Sequence, residues 1–218
     1  KHTAKTVATL EAAAAFSKWS LIEFAARLKE LNLNLQNDVA AQMSGLAVRP
    51  EELITVELDQ EAGLLIHLPD GETGCVTEIR AGLLLLGEFK GVICGFDLKS
   101  QLRLSELENA DYDQITLPRY HDVMISAYLL NTMEGRPDWP RLYERMTGKS
   151  YLLAEPVREE VDSLSALADP ATASEMGLQA ESEREYLDLR RQFLATNACL
   201  LREIALQQIE KTKEQKIE

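Results

Sequence analysis

The sequence predicts an α/β protein with a mixed central β-sheet, flanking helices and a helical C-terminal part. Three observations predict it. Short apolar runs at 43–48, 53–58 and 64–68, split by Arg49-Pro50 and by residues 59–63, read as an antiparallel meander closed by the turn Pro69-Asp70-Gly71. The period then changes: 77–88 has helical spacing, 91–95 is a short buried-strand pattern and 97–107 is helical again, so the meander passes into alternating α and β elements. Beyond His121 the pattern is almost only helical, with segments at 122–133, 139–146, 158–168 and from 175 to the end.

Ahead of the meander, residues 7–31 are Ala-rich, with Leu10, Ala14, Trp19, Leu21, Ile22, Phe24, Ala25 and Leu28 close to helical spacing and a break expected near 17–20. Residues 31–37, Leu-Asn-Leu-Asn-Leu-Gln-Asn, alternate strictly, which predicts a strand with its leucines on one face and its amides on the other. The expected division is a helical lead-in, 1–30, and a single domain, 31–218. A row of amides, Asn32, Asn34 and Gln36, fits either the exposed face of an edge strand or the remnant of a polar site.

Composition narrows the function. The 218 residues are 45% apolar and 27% charged, enough to bury a core, and the net charge of −13 repels phosphate backbones and anionic lipid. Residues 155–185 carry nine acids and two bases, a solvated helix face around a loop at Asp169-Pro170 or else an acidic interaction surface. Cys75, Cys94 and Cys199 have neither disulfide nor zinc spacing and are expected as small buried residues in a reducing compartment. The longest apolar run, 81–86, is too short for a membrane span, and Lys1-His2-Thr3 begins no signal peptide. The absent initiator Met points to a fragment of something larger.

Single residues have plain readings. Asp122 beside His121 is expected to cap a helix, because neighbours in sequence do not face each other on it. His67 reads as a strand residue at the sheet surface and Lys99 as a surface cation. Gly91-Val-Ile-Cys-Gly95 lacks the spacing of a phosphate loop. Trp19 and Trp139 have no basic surroundings and read as packing residues.

The stretch 121–149 carries a resemblance. Asp122 with Met124, the helix Tyr128-Leu129-Leu130-Asn131, Gly135-Arg136 with Asp138, Leu142, Glu144-Arg145 and the closing Gly148-Lys149 resemble the 3′-to-5′ exonuclease domain of family A DNA polymerases. With the meander and the long last helix, the resemblance covers about 31–210 and implies an RNase H-like fold. Active members hold two divalent metals with four carboxylates from three motifs. Two such ions carry a charge that only anionic oxygens offset.

Aligned by spacing, the first motif falls on 31–37 and its acids become Asn34 and Gln36. The second ends at Gln101, and the third makes its tyrosine Phe193 and its acid Asn197. All four acids are then amides. This register puts 67 positions between Asn34 and Gln101, while a competing register at Glu57-Leu58-Asp59 puts 44 before Gln101 and retains two acids. The resemblance therefore implies a catalytically inactive, vestigial exonuclease-like domain of a DNA polymerase I-type protein. No cofactor is expected, the partner is the polymerase domain of the same polypeptide, nucleic-acid contact is weak or indirect, and the location is cytoplasmic, at the bacterial nucleoid. The alternative is an active exonuclease using Mg²⁺ or Mn²⁺ at Glu57, Asp59, Asp97 and Asp122.

Overall fold

In the computed structural model, residues 15–37, 48–104, 119–131, 135, 137–157 and 175–214 are described. Their centre is a six-stranded sheet. The strands are β1 (Ser17–Lys18), β2 (Leu53–Asp59), β3 (Gly63–His67), β4 (Thr73–Val76), β5 (Val92–Gly95) and β6 (Tyr120–Asp122), in the order β1-β4-β3-β2-β5-β6. The meander β2-β3-β4 is antiparallel, with Val56 opposite Ile66 and Ile66 opposite Gly74. Beside β2 the sheet turns parallel: Ile54 pairs with Ile93 and Cys94 with His121. The helices are α1 (Leu21–Asn37), α2 (Ile79–Leu86), α3 (Leu98–Leu104), α4 (Val123–Leu130), α5 (Trp139–Thr147) and α6 (Glu175–Glu214).

Strand alternation splits the core in two. Ile54, Val56, Leu64, Ile66, Val76 and Ile93 point to one face, where they meet Phe24 and Leu28 of α1, Leu83 and Leu86 of α2 and Leu98 of α3. Leu53, Val92 and Cys94 point to the other, against Val123 and Ala127 of α4, Leu142 and Tyr143 of α5 and Leu201, Ile204 and Ala205 of α6. Leu65 and Cys75 continue this second face toward Leu194 of α6. Both faces are covered, so β2 and β3 read as nearly continuous apolar runs. Each fully buried Leu, Ile or Phe stabilises the fold by roughly 1.5–3 kcal/mol.

The strand expected at 31–37 is the last two turns of α1. Phe24, Leu28, Leu31 and Leu35 recur at helical intervals and pack on the first core, whereas Leu33 is 48% exposed. Period two and the helical stripe coincide over these few residues, and the core contacts of Leu31 and Leu35 select the helix. The helix runs through residue 31 without interruption, and Trp19, Phe24 and Leu28 of the lead-in belong to the main core. Asn32 ties α1 down, donating to the Glu88 carbonyl at 3.0 Å and accepting from Lys90 N–H at 2.8 Å.

Strands β2, β3 and β5 and helices α2, α3, α4 and α5 fall within or close to their expected ranges, and the expected break at 17–20 precedes α1. Strand β4 takes Thr73–Val76, ahead of the helix expected from residue 77, and β6 takes Tyr120–Asp122 at the front of the helix expected from 122. Short strands leave little periodic signal. Residues 7–14, the run at 43–47, the end of the helix expected at 97–107 and the helix expected at 158–168 lie outside the described residues. Among the described residues no helix is long and apolar enough to cross a membrane.

Candidate functional site

Side chains at the C-terminal ends of parallel strands face the crevice where sheets of this kind hold ligands. Four carboxylates of the sequence analysis lie there: Glu57 and Asp59 on β2, Asp97 just after β5 and Asp122 at the end of β6. Glu57 and Asp59 are two positions apart on one strand and share the α6 face. On that face Thr55 donates to the Ala198 carbonyl of α6 at 2.6 Å.

Strand β5 pairs with β2 only as far as Cys94 opposite Thr55. Beyond it, Gln101 of α3 takes over the ladder. Its Oε1 accepts from Leu58 N–H at 3.2 Å, while its Nε2 donates to Glu57 Oε2 at 2.8 Å and to the Phe96 carbonyl at 3.1 Å. Glu57 is buried, and that burial raises its carboxyl to about 8; the Gln101 bond opposes the rise and the Asp59 charge adds to it. The side chain is thus a neutral acid at neutral pH.

Asp59 has the opposite environment. Its Oδ1 accepts from Glu61 N–H at 3.0 Å and Ala62 N–H at 2.8 Å, shaping the β2–β3 turn. Its Oδ2 accepts from Arg190 Nε at 2.8 Å and Nη2 at 2.6 Å. Burial disfavours the charge, but the bonds from Arg190 and Ala62 outweigh it and hold the carboxyl below its usual range. The third nitrogen of Arg190, Nη1, donates to Glu155 Oε1 at 2.8 Å.

Asn197 is buried on α6. Its Oδ1 accepts from Tyr151 Oη at 2.7 Å and from Trp139 Nε1 at 3.1 Å. Trp139, Tyr143 and Tyr151 pack as tilted and edge-on rings with centroids 5.9–6.4 Å apart. Burial pushes the Tyr151 phenol up to about 12, so it stays a donor. Phe193 packs beside the cluster of Ala62, Leu65, Cys75 and Leu194.

Asp122 caps α4, as expected. Its carboxylate collects four backbone N–H groups, from Asp97 at 3.3 Å, Leu98 at 2.9 Å, Met124 at 3.0 Å and Ile125 at 3.2 Å. Asp97 adopts φ 53°, in the left-handed region, where the chain turns from β5 into α3. His121 pairs with Gln208 at 3.1 Å rather than with Asp122. His67 is buried under α6 rather than exposed at the sheet surface, with Thr73 Oγ1 at 2.8 Å and Cys199 Sγ at 3.3 Å from Nδ1. Burial, helped by the Arg202 charge, pushes its pKa down to about 4, and burial raises the Cys199 thiol; the two stay neutral, without an activated thiolate. Cys75 and Cys94 are buried, as expected, and Cys199 is half-buried.

Asn34 and Gln36 are not part of this arrangement. Both are exposed on α1, which packs on the opposite face of the sheet from Glu57 and α6, and Asn34 borders an open cavity of about 540 Å³ with Arg27, Glu30, Arg49 and Asp70. The expected place of these amides on a strand is corrected accordingly: they are on a helix because Leu31 and Leu35 belong to its buried stripe. The register at Glu57-Leu58-Asp59 is the one that lies on the central strand, in contact with Gln101. Sequence reasoning overlooked Arg190 and Tyr151. Arg190-Arg191 stands out as a pair of cations in an acidic half of the chain, but nothing in the sequence aims either at β2.

The fit to a two-metal centre follows from these contacts. Glu57 and Asp59 supply two acids, while Gln101 brings an amide against Glu57 and Arg190 brings a cation against Asp59. Every acceptor direction of Asp59 is used by N–H groups. This donor set does not fit a pair of Mg²⁺ or Mn²⁺ ions. Among the described residues no group of three or more His, Cys, Asp and Glu is placed to hold a metal. No protein-family model matches the chain, and no curated protein matches it significantly.

Proposed function

We propose that the chain is a catalytically silent 3′-to-5′ exonuclease-like domain of RNase H-like fold, belonging to a DNA polymerase I-type protein and serving it as a structural unit in replication and repair. The observation that carries this reading is the Gln101–Glu57 hydrogen bond: an amide donates into the acid of the central strand at a position where the resemblance expects a metal-binding carboxylate. The sheet supports it too, since an antiparallel meander followed by two parallel strands, with helices on both faces, is compatible with an RNase H-like fold. Packing against a polymerase domain of the same polypeptide is the role left to a domain that keeps this fold without the charges its chemistry requires.

The active alternative would draw on Glu57, Asp59, Asp97 and Asp122. Two of these are already committed, Asp59 to Arg190 and the β2–β3 turn, and Asp122 to four backbone N–H groups. The deciding experiment is digestion of a 5′-labelled single-stranded oligonucleotide with Mg²⁺ and then Mn²⁺, beside Glu57→Gln. No shortening with either ion is expected. Metal-dependent shortening that disappears in Glu57→Gln would establish the active enzyme instead.

A further inference from the structure

Residues 151–157, which follow α5, are pinned to α6 at two points. At one end Tyr151 donates to Asn197 Oδ1 at 2.7 Å, and at the other Glu155 accepts from Arg190 Nη1 at 2.8 Å. Asn197 and Arg190 are seven positions apart, two helical turns, and therefore share one side of α6. The same guanidinium grips Asp59 through its other two nitrogens, so three elements meet at one cation: the end of β2, the 151–157 segment and α6. Arginine suits this place because its planar fork serves two carboxylates at once and stays charged when partly buried.

We propose that Arg190 is a built-in counter-cation standing where a metal ion would neutralise Asp59, and that by bridging Asp59 to Glu155 it straps residues 151–157 across the C-terminal end of β2. This deepens the reading of a silenced exonuclease-type site and rests on it. The two halves of the bridge differ in strength. Asp59 and Arg190 are 13% and 20% exposed and form the anchor, whereas Glu155 is 61% exposed and forms a light, solvent-screened latch. Removing the guanidinium leaves the Asp59 carboxylate with two open acceptor directions and frees Glu155 beside it, which is a cation site in waiting.

The test uses the whole chain and manganese alone, with binding followed by electron paramagnetic resonance at neutral pH. Arg190→Gln is expected to bind Mn²⁺ at least about tenfold more tightly than the wild type, a change of about 1.4 kcal/mol. Adding Asp59→Asn to that variant is expected to abolish the gain. Wild-type binding as tight as that of Arg190→Gln, or no difference between the single and double variants, overturns the proposal. Glu155→Gln keeps the anchor and covers the case in which Arg190→Gln does not fold. With the latch released, Trp139 fluorescence is expected to shift red and become more accessible to a neutral quencher, while Trp19 stays buried on the other face; unchanged emission overturns the strap. Metal-dependent digestion by the wild type would count against the proposed function, whereas tight Mn²⁺ binding by the wild type without digestion would count against the counter-cation alone.

Discussion

Gln101 holds Glu57 and the β2 backbone together: one end of its amide donates to the carboxyl at 2.8 Å and the other accepts from Leu58 N–H at 3.2 Å. Both ends of the amide are needed, since a half-buried backbone N–H and a buried carboxyl are satisfied by one side chain. Gln101→Glu keeps the acceptor and places a second carboxyl against Glu57, so the pair must share a proton. The variant is expected to match the wild type near pH 5 and to lose about 1–3 kcal/mol near pH 8, as read by urea denaturation at the two pH values. Equal losses at both would show that the two carboxyls do not interact.

The pH dependence of stability has two opposed sources. Glu57 titrates at about 8 in the fold against 4.5 ordinarily, so between these values the folded protein keeps a proton that the unfolded chain releases, and stability falls as pH rises. His67 titrates at about 4 against 6.5, so there the unfolded chain holds the extra proton and stability rises with pH; His121, also lowered by burial, acts in the same direction. From about 4.5 to 6.5 the two histidines together outweigh Glu57, and only the Glu57 loss remains from 6.5 to 8. Thermal melting is expected to rise gently through the lower window and to decline in the upper one. Glu57→Gln should remove the decline, a difference on the order of 2 kcal/mol at pH 8.

Asn197 accepts two donors on one oxygen, and the members of this cluster are not equivalent. Tyr151→Phe removes one bond and leaves the Trp139 bond in place, at a cost of about 1 kcal/mol. Asn197→Ala strands both Tyr151 Oη and Trp139 Nε1, and should cost about 2–3 kcal/mol. A double variant costing no more than Asn197→Ala alone, measured by denaturation, is the expected sign that Tyr151 acts through Asn197.

Asp122 joins the start of α3 to the start of α4 through four backbone N–H groups. Asp122→Ala is expected to cost at least about 2 kcal/mol, the upper end for loss of a helix cap, because Leu98 N–H is left in a buried place. Asp122→Asn keeps one acceptor oxygen and should recover about half of that. Identical melting of the two variants would show that charge, not acceptor geometry, sets the cap.

Gly74 records the closeness of β4 to Trp19: a Cβ there would lie 2.0 Å from the indole ring. Gly74→Ala is therefore expected to displace Trp19 and destabilise by about 1–3 kcal/mol, with a red shift of tryptophan emission as the direct readout.

The sequence by itself determined the α/β class, the antiparallel strands β2 and β3, the buried strand β5, the long last helix and the cap at Asp122, because apolar periodicity and turn residues are local signals. It also suggested a strand at 31–37, where the structure has the end of α1. Period two at 31–37 is indistinguishable, over seven residues, from the end of a helix whose Leu31 and Leu35 face a core. Only the tertiary structure decided that Glu57 and Asp59 occupy the end of the central strand, that Gln101 completes the ladder where β5 stops, and that Arg190 spans 131 positions of sequence to reach Asp59. These are pairings between distant segments, fixed by how the sheet stacks on α6, and no local pattern encodes them.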